Sequence, residues 1–356
     1  AIGRDAMAGV YTGGDAVAVG RSTLAALTSG SNNVAVGALA LNANTTASNN
    51  TAVGHQAASS NTTGTNNVAV GKDAGKAITT GSYNVLSGAL TGDALTEGNS
   101  NVAIGDEALS ADTLGSSSIA IGRRALKVQN FTSATSGYNI AIGHSAGTAV
   151  TTATNNTLIG GLAGDAITSG GSNIALGVNA LGGNITGTDN VAVGVTALKV
   201  ATGSTNTAVG DGAGSLITSG AKNTILGRYN GNQGGLDIRT SSSNIVLSDG
   251  DGNPRITVDS SGDTTFAGDL SLGDSDKAIF GAGSDLQIYH DGSNSFIKDA
   301  GTGNIKYQAA SRHQFENADG SKMYIQLVGD TVGQEYVQLR YNNATKLATT
   351  STGIDV

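Results

Sequence analysis

The chain has 356 residues, among them 54 Gly and 1 Pro but no Cys or Trp. Its 19 basic and 27 acidic residues give a net charge of −8, which disfavours a nucleic-acid backbone as partner. The lack of Cys excludes disulfides and thiol chemistry, and no apolar run reaches the ~18 residues of a membrane helix. With few large side chains, the chain must build its core in thin, regular layers.

The first 232 residues repeat one short phrase. NNVAVG occurs at Asn32–Gly37 and Asn66–Gly71, and Ala1-Ile2-Gly3 is the second half of a phrase, so we expect the first unit to be incomplete. We call the last residue of each phrase its coil glycine. Successive coil glycines are 17 residues apart, except for one interval of 21 and one of 16. The fourteen coil glycines are Gly3, Gly20, Gly37, Gly54, Gly71, Gly88, Gly105, Gly122, Gly143, Gly160, Gly177, Gly194, Gly210 and Gly227.

Each phrase alternates two kinds of side chain. The residue three before the coil glycine is β-branched in every unit that has one, and the residue one before is Val, Ile or Leu except at Ser87. The residues four and two before it are mostly Asn and Ala. A period of two indicates a β-strand, and Gly and β-branched residues disfavour a helix. We expect the β-branched residues on one face of the strand and Asn and Ala on the other.

One four-residue strand cannot bury itself, but stacked copies can. The spacing therefore predicts a parallel β-roll or solenoid of about 14 coils over residues 1–232, a rod roughly 65 Å long at the usual strand spacing. We expect the Val and Ile residues to form a dry interior stripe and the Asn residues to form an amide ladder. We also expect the Ala residues beside Asn to form a chain–chain contact, which a stable monomer in analytical ultracentrifugation would disprove.

The 21-residue interval contains Lys127 to Thr132 and predicts a surface loop on one coil. Phe131 lies in this insertion. Two interpretations are open: Phe131 folds down over the rod, or it is exposed as a contact point.

Several phrases resemble a known family. SNVAIG (Ser100–Gly105), YNIAIG (Tyr138–Gly143) and DNVAVG (Asp189–Gly194) resemble the head repeats of YadA-type trimeric autotransporter adhesins. The longer TTGTNNVAVGKDAG (Thr62–Gly75) resembles related repeats of bacteriophage tail fibres. The resemblance implies a homotrimer of left-handed parallel β-rolls, although the family repeat is usually shorter than the one in this chain.

From about Gly235 the sequence changes to strand-like runs separated by Gly, Asp and Asn turns, such as His290-Asp291-Gly292-Ser293. The segment Ala278–Asp299 resembles fibre proteins of marine phages, especially cyanophages. This resemblance implies a trimeric, intertwined or prism-like β-rich fibre segment over residues 233–356. Its aromatic residues have two interpretations, a core or a receptor-binding platform; they are Phe266, Phe280, Tyr289, Phe296, Tyr307, Phe315, Tyr324, Tyr336 and Tyr341.

Little in the sequence points to catalysis. The four His residues, His55, His144, His290 and His313, are far apart, and the acids of the coils occur singly near the glycine bends, which indicates a solvated rim. We therefore expect no enzyme activity, no catalytic residues and no cofactor. One calcium-loop hypothesis remains open, because Asp249, Asp251 and Asn253 place oxygen atoms at alternate positions. A hairpin turn ended by Pro254 explains the same residues.

The pattern and the resemblance together predict a structural fibre of a bacteriophage tail, located on the virion and therefore extracellular. Its expected partners are two further copies of itself, other tail proteins, and a glycan or protein receptor on the host surface, with no nucleic acid and no membrane insertion. The alternative is the head of a bacterial trimeric autotransporter adhesin, which continues into a coiled-coil stalk and a membrane anchor. A polysaccharide-degrading tailspike is the third hypothesis, and paired acids in a groove would favour it.

Overall fold

The computed structural model describes residues 1–307, 312–318, 320–328, 336–341, 344–350 and 353–355. These residues form strands and turns and contain no helix, and hence none able to cross a membrane. The chain forms two compact units, residues 1–269 and 270–356, each described by itself below. The 17-residue repeat ends near the predicted boundary at residue 232, and the first compact unit continues to Asp269.

The first unit is a parallel β-solenoid of about fourteen coils, as the 17-residue spacing predicts. Each coil gives one short strand to a continuous sheet, in which every strand pairs in parallel with the strand of the next coil. The stacked strands are β1 (Ala16–Val19), β2 (Asn33–Val36), β3 (Thr51–Val53), β4 (Val68–Val70), β5 (Val85–Ser87), β6 (Val102–Ile104), β8 (Ile119–Ile121), β10 (Ile140–Ile142), β11 (Thr157–Ile159), β12 (Ile174–Leu176), β13 (Val191–Val193), β14 (Thr207–Val209) and β15 (Thr224–Leu226). Strands β7 (Gly115–Ser116) and β9 (Thr135–Ser136) pair with each other beside the insertion.

The coils stack in exact register, so like residues lie above like. Val34 pairs with Thr51, and Ala35 pairs with Ala52. The coil glycine is required at the bend: Gly54 has φ 139°, and a Cβ there would collide with the carbonyl oxygen of Gly71 in the next coil. Glycine therefore allows neighbouring coils to approach at the spacing of a sheet.

The interior of each coil is filled by small and medium side chains from two sides. Ala residues two before and three after the coil glycine, such as Ala103 and Ala108, are fully buried. Leu109, four after, is also fully buried. The core is thus a thin layer repeated along the solenoid, as expected for a chain with few aromatic residues.

Where a strand carries a larger interior residue, neighbouring coils carry Gly. Leu86 stands where most coils have Ala, and a Cβ on Gly75 or Gly92, four after the two adjacent coil glycines, would lie 2.7 or 3.0 Å from Leu86 methyl carbons. Leu158 has the same relation to Gly147 and Gly164. A large residue on one strand is therefore offset by Gly in the neighbouring coils, and the total volume of interior side chains stays nearly constant. This is expected because a packed core tolerates neither voids nor overlap.

The solenoid ends in a hairpin arrangement. Strand β18 (Ile245–Ser248) adds in parallel to β15, and β19 (Pro254–Val258) and β20 (Thr264–Phe266) then continue the sheet antiparallel. The two-residue strands β16 (Asn232–Gln233) and β17 (Leu236–Asp237) form a small hairpin beside it. Tyr229 is fully buried there, and its hydroxyl donates to the Leu236 carbonyl at 2.9 Å. A large side chain thus fills the last coil.

The second unit contains two antiparallel sheets. Strands β21 (Lys277–Phe280), β22 (Leu286–His290) and β23 (Ser295–Asp299) form a three-stranded meander, with the predicted turn at His290–Ser293 between β22 and β23. Strands β24 (Arg312–Glu316), β25 (Met323–Val328), β26 (Tyr336–Tyr341), β27 (Ala344–Thr350) and β28 (Gly353–Asp355) form a five-stranded meander.

Candidate interaction surface

A stripe of mostly aliphatic side chains, with Thr at four places and Ser at one, runs along the outside of the solenoid. It consists of the residues three and one before each coil glycine, from Val17 to Leu226, and we call it the outer stripe. Within it, Val17 is 48% exposed, Ile104 40% and Leu226 53%. In-register pairing stacks these side chains into two continuous rows.

This arrangement corrects two predictions. The Val and Ile residues were predicted to fill the interior, and the Ala residues beside Asn to form the chain–chain contact; both predictions are wrong. Asn33 and Ala35 are fully buried inside the coil, whereas Val34 and Val36 lie on its outer face. The interior is occupied by Ala and Leu residues that follow the coil glycine, such as Ala108 and Leu109, and by the Asn and Ala residues of the strand.

The predicted amide ladder exists, but inside the coil. The Oδ1 atom of Asn173 accepts the backbone N–H of Asn190 in the next coil at 3.0 Å, and its Nδ2 donates to the Gly187 carbonyl at 2.9 Å. The same pair of bonds recurs from coil to coil, for example at Asn50. The ladder thus satisfies backbone groups in the interior, which would be costly if unpaired.

Asn is replaced by Ala16 in the first complete coil and by Ser118 within the solenoid, and at Ser118 the side chain of Gln129 bridges the interruption. Gln129 Nε2 donates to Ser118 Oγ at 3.2 Å and to Asp112 Oδ2 at 2.7 Å, and Gln129 Oε1 accepts from Asn139 Nδ2 at 2.9 Å. Burial raises the pKa of the Asp112 carboxyl, against the hydrogen bonds from Gln129 and from backbone N–H groups that lower it. Sequence reasoning missed this cluster, although its members lie at and just before the 21-residue interval.

Phe131, in the insertion, is only 4% exposed. A Cβ on Gly137 would lie 3.1 Å from its ring, which shows how closely the ring is covered. The interpretation that Phe131 folds down over the solenoid is therefore confirmed, and the exposed contact point is wrong.

The outer stripe is irregular in the coil closed by Gly88. Ser87 takes the place of an aliphatic residue one before the glycine. Tyr83, five before the glycine, is 63% exposed and has φ 62°. Tyr138 occupies the equivalent place three coils later and is 60% exposed. A large residue with positive φ is unfavourable, whereas Asn and Asp, common at this place, tolerate it.

Among the described residues, none of the four histidines named in the sequence analysis lies in a catalytic arrangement. His55 Nδ1 lies 4.0 Å from Asp73 Oδ1, and His290 Nδ1 lies 3.2 Å from Ser295 Oγ. Acids near the bends form ion pairs between coils, such as Glu107 with Arg124 at 2.7 Å. Asp106, Glu107 and Asp211 are exposed or partly exposed, as predicted for a solvated rim, whereas Asp73 is only 5% exposed, so the prediction is wrong for Asp73.

The residues of the calcium hypothesis form the turn between β18 and β19, stabilised by hydrogen bonds within the turn. Asp249 Oδ1 accepts the N–H groups of Asp251 and Asn253, and Asp249 Oδ2 accepts from Arg255 Nε at 2.9 Å. The hydrogen bond from the Asn253 backbone, together with Arg255, lowers the pKa of Asp249 to about 2. Across the described ranges, no group of three or more His, Asp or Glu residues could hold a metal ion. The hairpin-turn interpretation is therefore confirmed, and calcium binding at Asp249, Asp251 and Asn253 stays an untested hypothesis.

Several aromatic residues of the second unit lie on the surface of the single chain. Phe280 is 52% exposed, Phe315 54% and Tyr341 68%. Tyr289 and Phe296 stack with ring centroids 4.8 Å apart. A core formed by these residues in a trimeric segment is not tested by a single chain and stays a prediction, and the side chain of Tyr336 lies outside the described residues.

Comparison with protein-family models, with curated proteins and with solved structures finds no match to this chain.

Proposed function

We propose that the chain is the structural fibre of a bacteriophage tail, a homotrimeric rod that attaches the virion to the host cell surface. The outer stripe is the observation that carries this proposal. It extends over the whole solenoid, and exposed apolar patches of such extent mark protein interfaces. Further copies of the chain, with the same stripe, are its natural cover.

Three copies follow from the resemblance to trimeric adhesin heads and tail fibres. Three outer stripes facing a common axis would close a prism and leave the polar sides of each coil in water. Because the interior of each coil is already filled, association would add a second, intermolecular core outside the first. The exposed aromatic residues of the second unit, such as Phe280 and Phe315, would be covered in the same way.

The rod supports a role in attachment through reach and valence. Fourteen coils at the usual strand spacing give roughly 65 Å of length from small residues. Three identical chains also present any receptor contact three times, and weak contacts then add to strong attachment. A glycan or protein on the host surface and the other tail proteins are the partners at its ends.

Sedimentation equilibrium tests the assembly. We expect a particle of three times the 35.0 kDa chain mass. Val70→Asp, which places a charge in the outer stripe, should give a monomer. The matched control Thr63→Asp, at an exposed place of the same coil, should remain trimeric. A wild-type monomer, or a Val70→Asp trimer of normal stability, contradicts the proposed interface.

Binding to cells tests the role. Labelled trimer incubated with a panel of bacterial strains should bind a restricted set and should block adsorption of a phage that infects them. New reducing ends after incubation with capsule or lipopolysaccharide would favour a tailspike. An adjoining coiled-coil stalk and membrane anchor in the same reading frame would favour an adhesin.

A further inference from the structure

A repetitive interface has a register problem. Adjacent coils present nearly the same outer stripe, so copies displaced by one coil, about 4.8 Å, would bury nearly the same area. A single fibre structure requires at least one coil that differs from the others. If the proposed homotrimer holds, the coil closed by Gly88 differs from the others on the outer stripe itself, because Ser87 interrupts one of its rows.

The coil closed by Gly88 has two exceptions that complement each other in size. Ser87 is the only polar residue among the fourteen that precede a coil glycine. It therefore leaves a gap in the row. Tyr83, in the same coil, is a large exposed side chain at a place where most coils have Asn, Ser, Asp or Thr. Its side chain is 63% exposed, so burial within the single chain does not explain it.

The two residues lie at opposite edges of the outer stripe. Four residues of extended chain separate their Cα atoms by roughly 13 Å. The Tyr83 side chain therefore does not occupy the space beside Ser87 of its own copy. In a cyclic trimer about an axis parallel to the rod, the interface is heterologous, and one edge of a copy meets the opposite edge of the next at the same height. We propose that Tyr83 of one copy seats in the gap at Ser87 of its neighbour, and that this contact fixes the axial register.

Substitution toward the regular coil tests the contact. Tyr83→Asn and Ser87→Val each install the residue type common at that place. Within one chain both are neutral or favourable, because Asn tolerates positive φ and Val suits a strand. We nevertheless expect each single variant to weaken trimer association by roughly tenfold, through a cavity in the first and a clash in the second.

The double variant Tyr83→Asn/Ser87→Val should recover most of the lost affinity. Residues roughly 13 Å apart do not couple within one chain, so non-additivity in this cycle reports an intermolecular contact. The matched control is Tyr138→Asn with Ile142→Val, at the same two places of a coil without a gap. Additive effects at Tyr83 and Ser87, with a trimeric wild type, overturn the proposal and leave the proposed function standing.

Cross-linking reads the register directly, because the chain has no native Cys. Two singly substituted chains are mixed and assembled with Tyr83 and Ser87 intact. Ser100→Cys of one copy should then cross-link through a short bismaleimide to Ile104→Cys of another copy, which belongs to the same coil. It should cross-link only weakly to Ile121→Cys of another copy, which belongs to the next coil. In the Tyr83→Asn/Ser87→Val background the second product should increase. Equal yields in the presence of Tyr83 and Ser87 overturn the proposal, and a monomeric wild type overturns both proposals.

Discussion

The two compact units bury their apolar residues differently. In the solenoid, Ala35 and Leu109 are fully buried within one chain. In the second unit, larger residues such as Phe280 and Phe315 lie more than half exposed on open sheets. Side-chain size therefore does not decide burial in this molecule. A small residue is buried when regular stacking closes a coil around it, whereas a large residue on a single open sheet needs a second layer.

This contrast predicts that the second unit depends on association and that the solenoid interior does not. On dilution of the full chain below its association range, hydrogen exchange in residues 277–299 should increase by orders of magnitude. The Asn-ladder amides of the central coils should remain protected. Exchange measured by mass spectrometry over a concentration series checks this. Equal loss of protection in both units would show that the coils also need partners.

The size compensation between Leu86 and the glycines of the neighbouring coils can be tested by truncating Leu86. Leu86→Ala should cost about 4 kcal/mol of unfolding free energy, because Gly75 and Gly92 leave a cavity on both sides. Leu86→Ala/Gly92→Leu should recover part of this loss, since it restores the combination found in regular coils. Urea denaturation of the single and double variants measures the coupling. Leu109→Ala in a regular coil is the control for a truncation without compensation, and additivity at Leu86 and Gly92 would contradict the size compensation.

The amide ladder can be broken at Asn173. Asn173→Ala leaves the buried N–H of Asn190 and the carbonyl of Gly187 without partners, at a cost of about 3 kcal/mol. Asn155→Ser is the control, because Asn155 is exposed and Ser172 occupies the equivalent place one coil later. The control should unfold like the wild type in urea. Equal losses for both variants would mean that the interior hydrogen bonds contribute little.

The repeat, the strand and the coil count could be predicted from the sequence, because all three depend on a period that can be counted. Which face of the strand points inward could not, because alternation defines two faces without ranking them. The interior was already filled by residues after the coil glycine, such as Ala108 and Leu109, and Asn could enter because its amide satisfies backbone groups. Exposure of the β-branched face could be assigned only after the other side of the coil was in place.

The irregular positions show the same limit. Ser118, Ser87 and Tyr83 all stand out as departures from the repeat. Their consequences differ because their neighbours differ. Ser118 is bridged inside the chain by Gln129, whereas Ser87 puts a small polar side chain into a row of aliphatic residues on the outer face. A residue that departs from the repeat can be found in the sequence. Whether another residue of the same chain contacts it, or a residue of another copy would, depends on the packing around it.

The smallest effect is expected at Asp112, the acid of the repaired ladder. Its folded-state pKa is raised by burial, so the unfolded chain ionises first as the pH rises. Its contribution to stability is full below the ordinary pKa of Asp and is lost as the pH rises through the raised value. Asp112→Asn cannot ionise, so its unfolding free energy relative to the wild type should increase from pH 3 to pH 7. Urea denaturation at several pH values measures this difference, and Asp106→Asn on the exposed rim is the matched control. A difference independent of pH would mean that the hydrogen bonds to the carboxylate balance its burial, and a decrease would mean that they outweigh it.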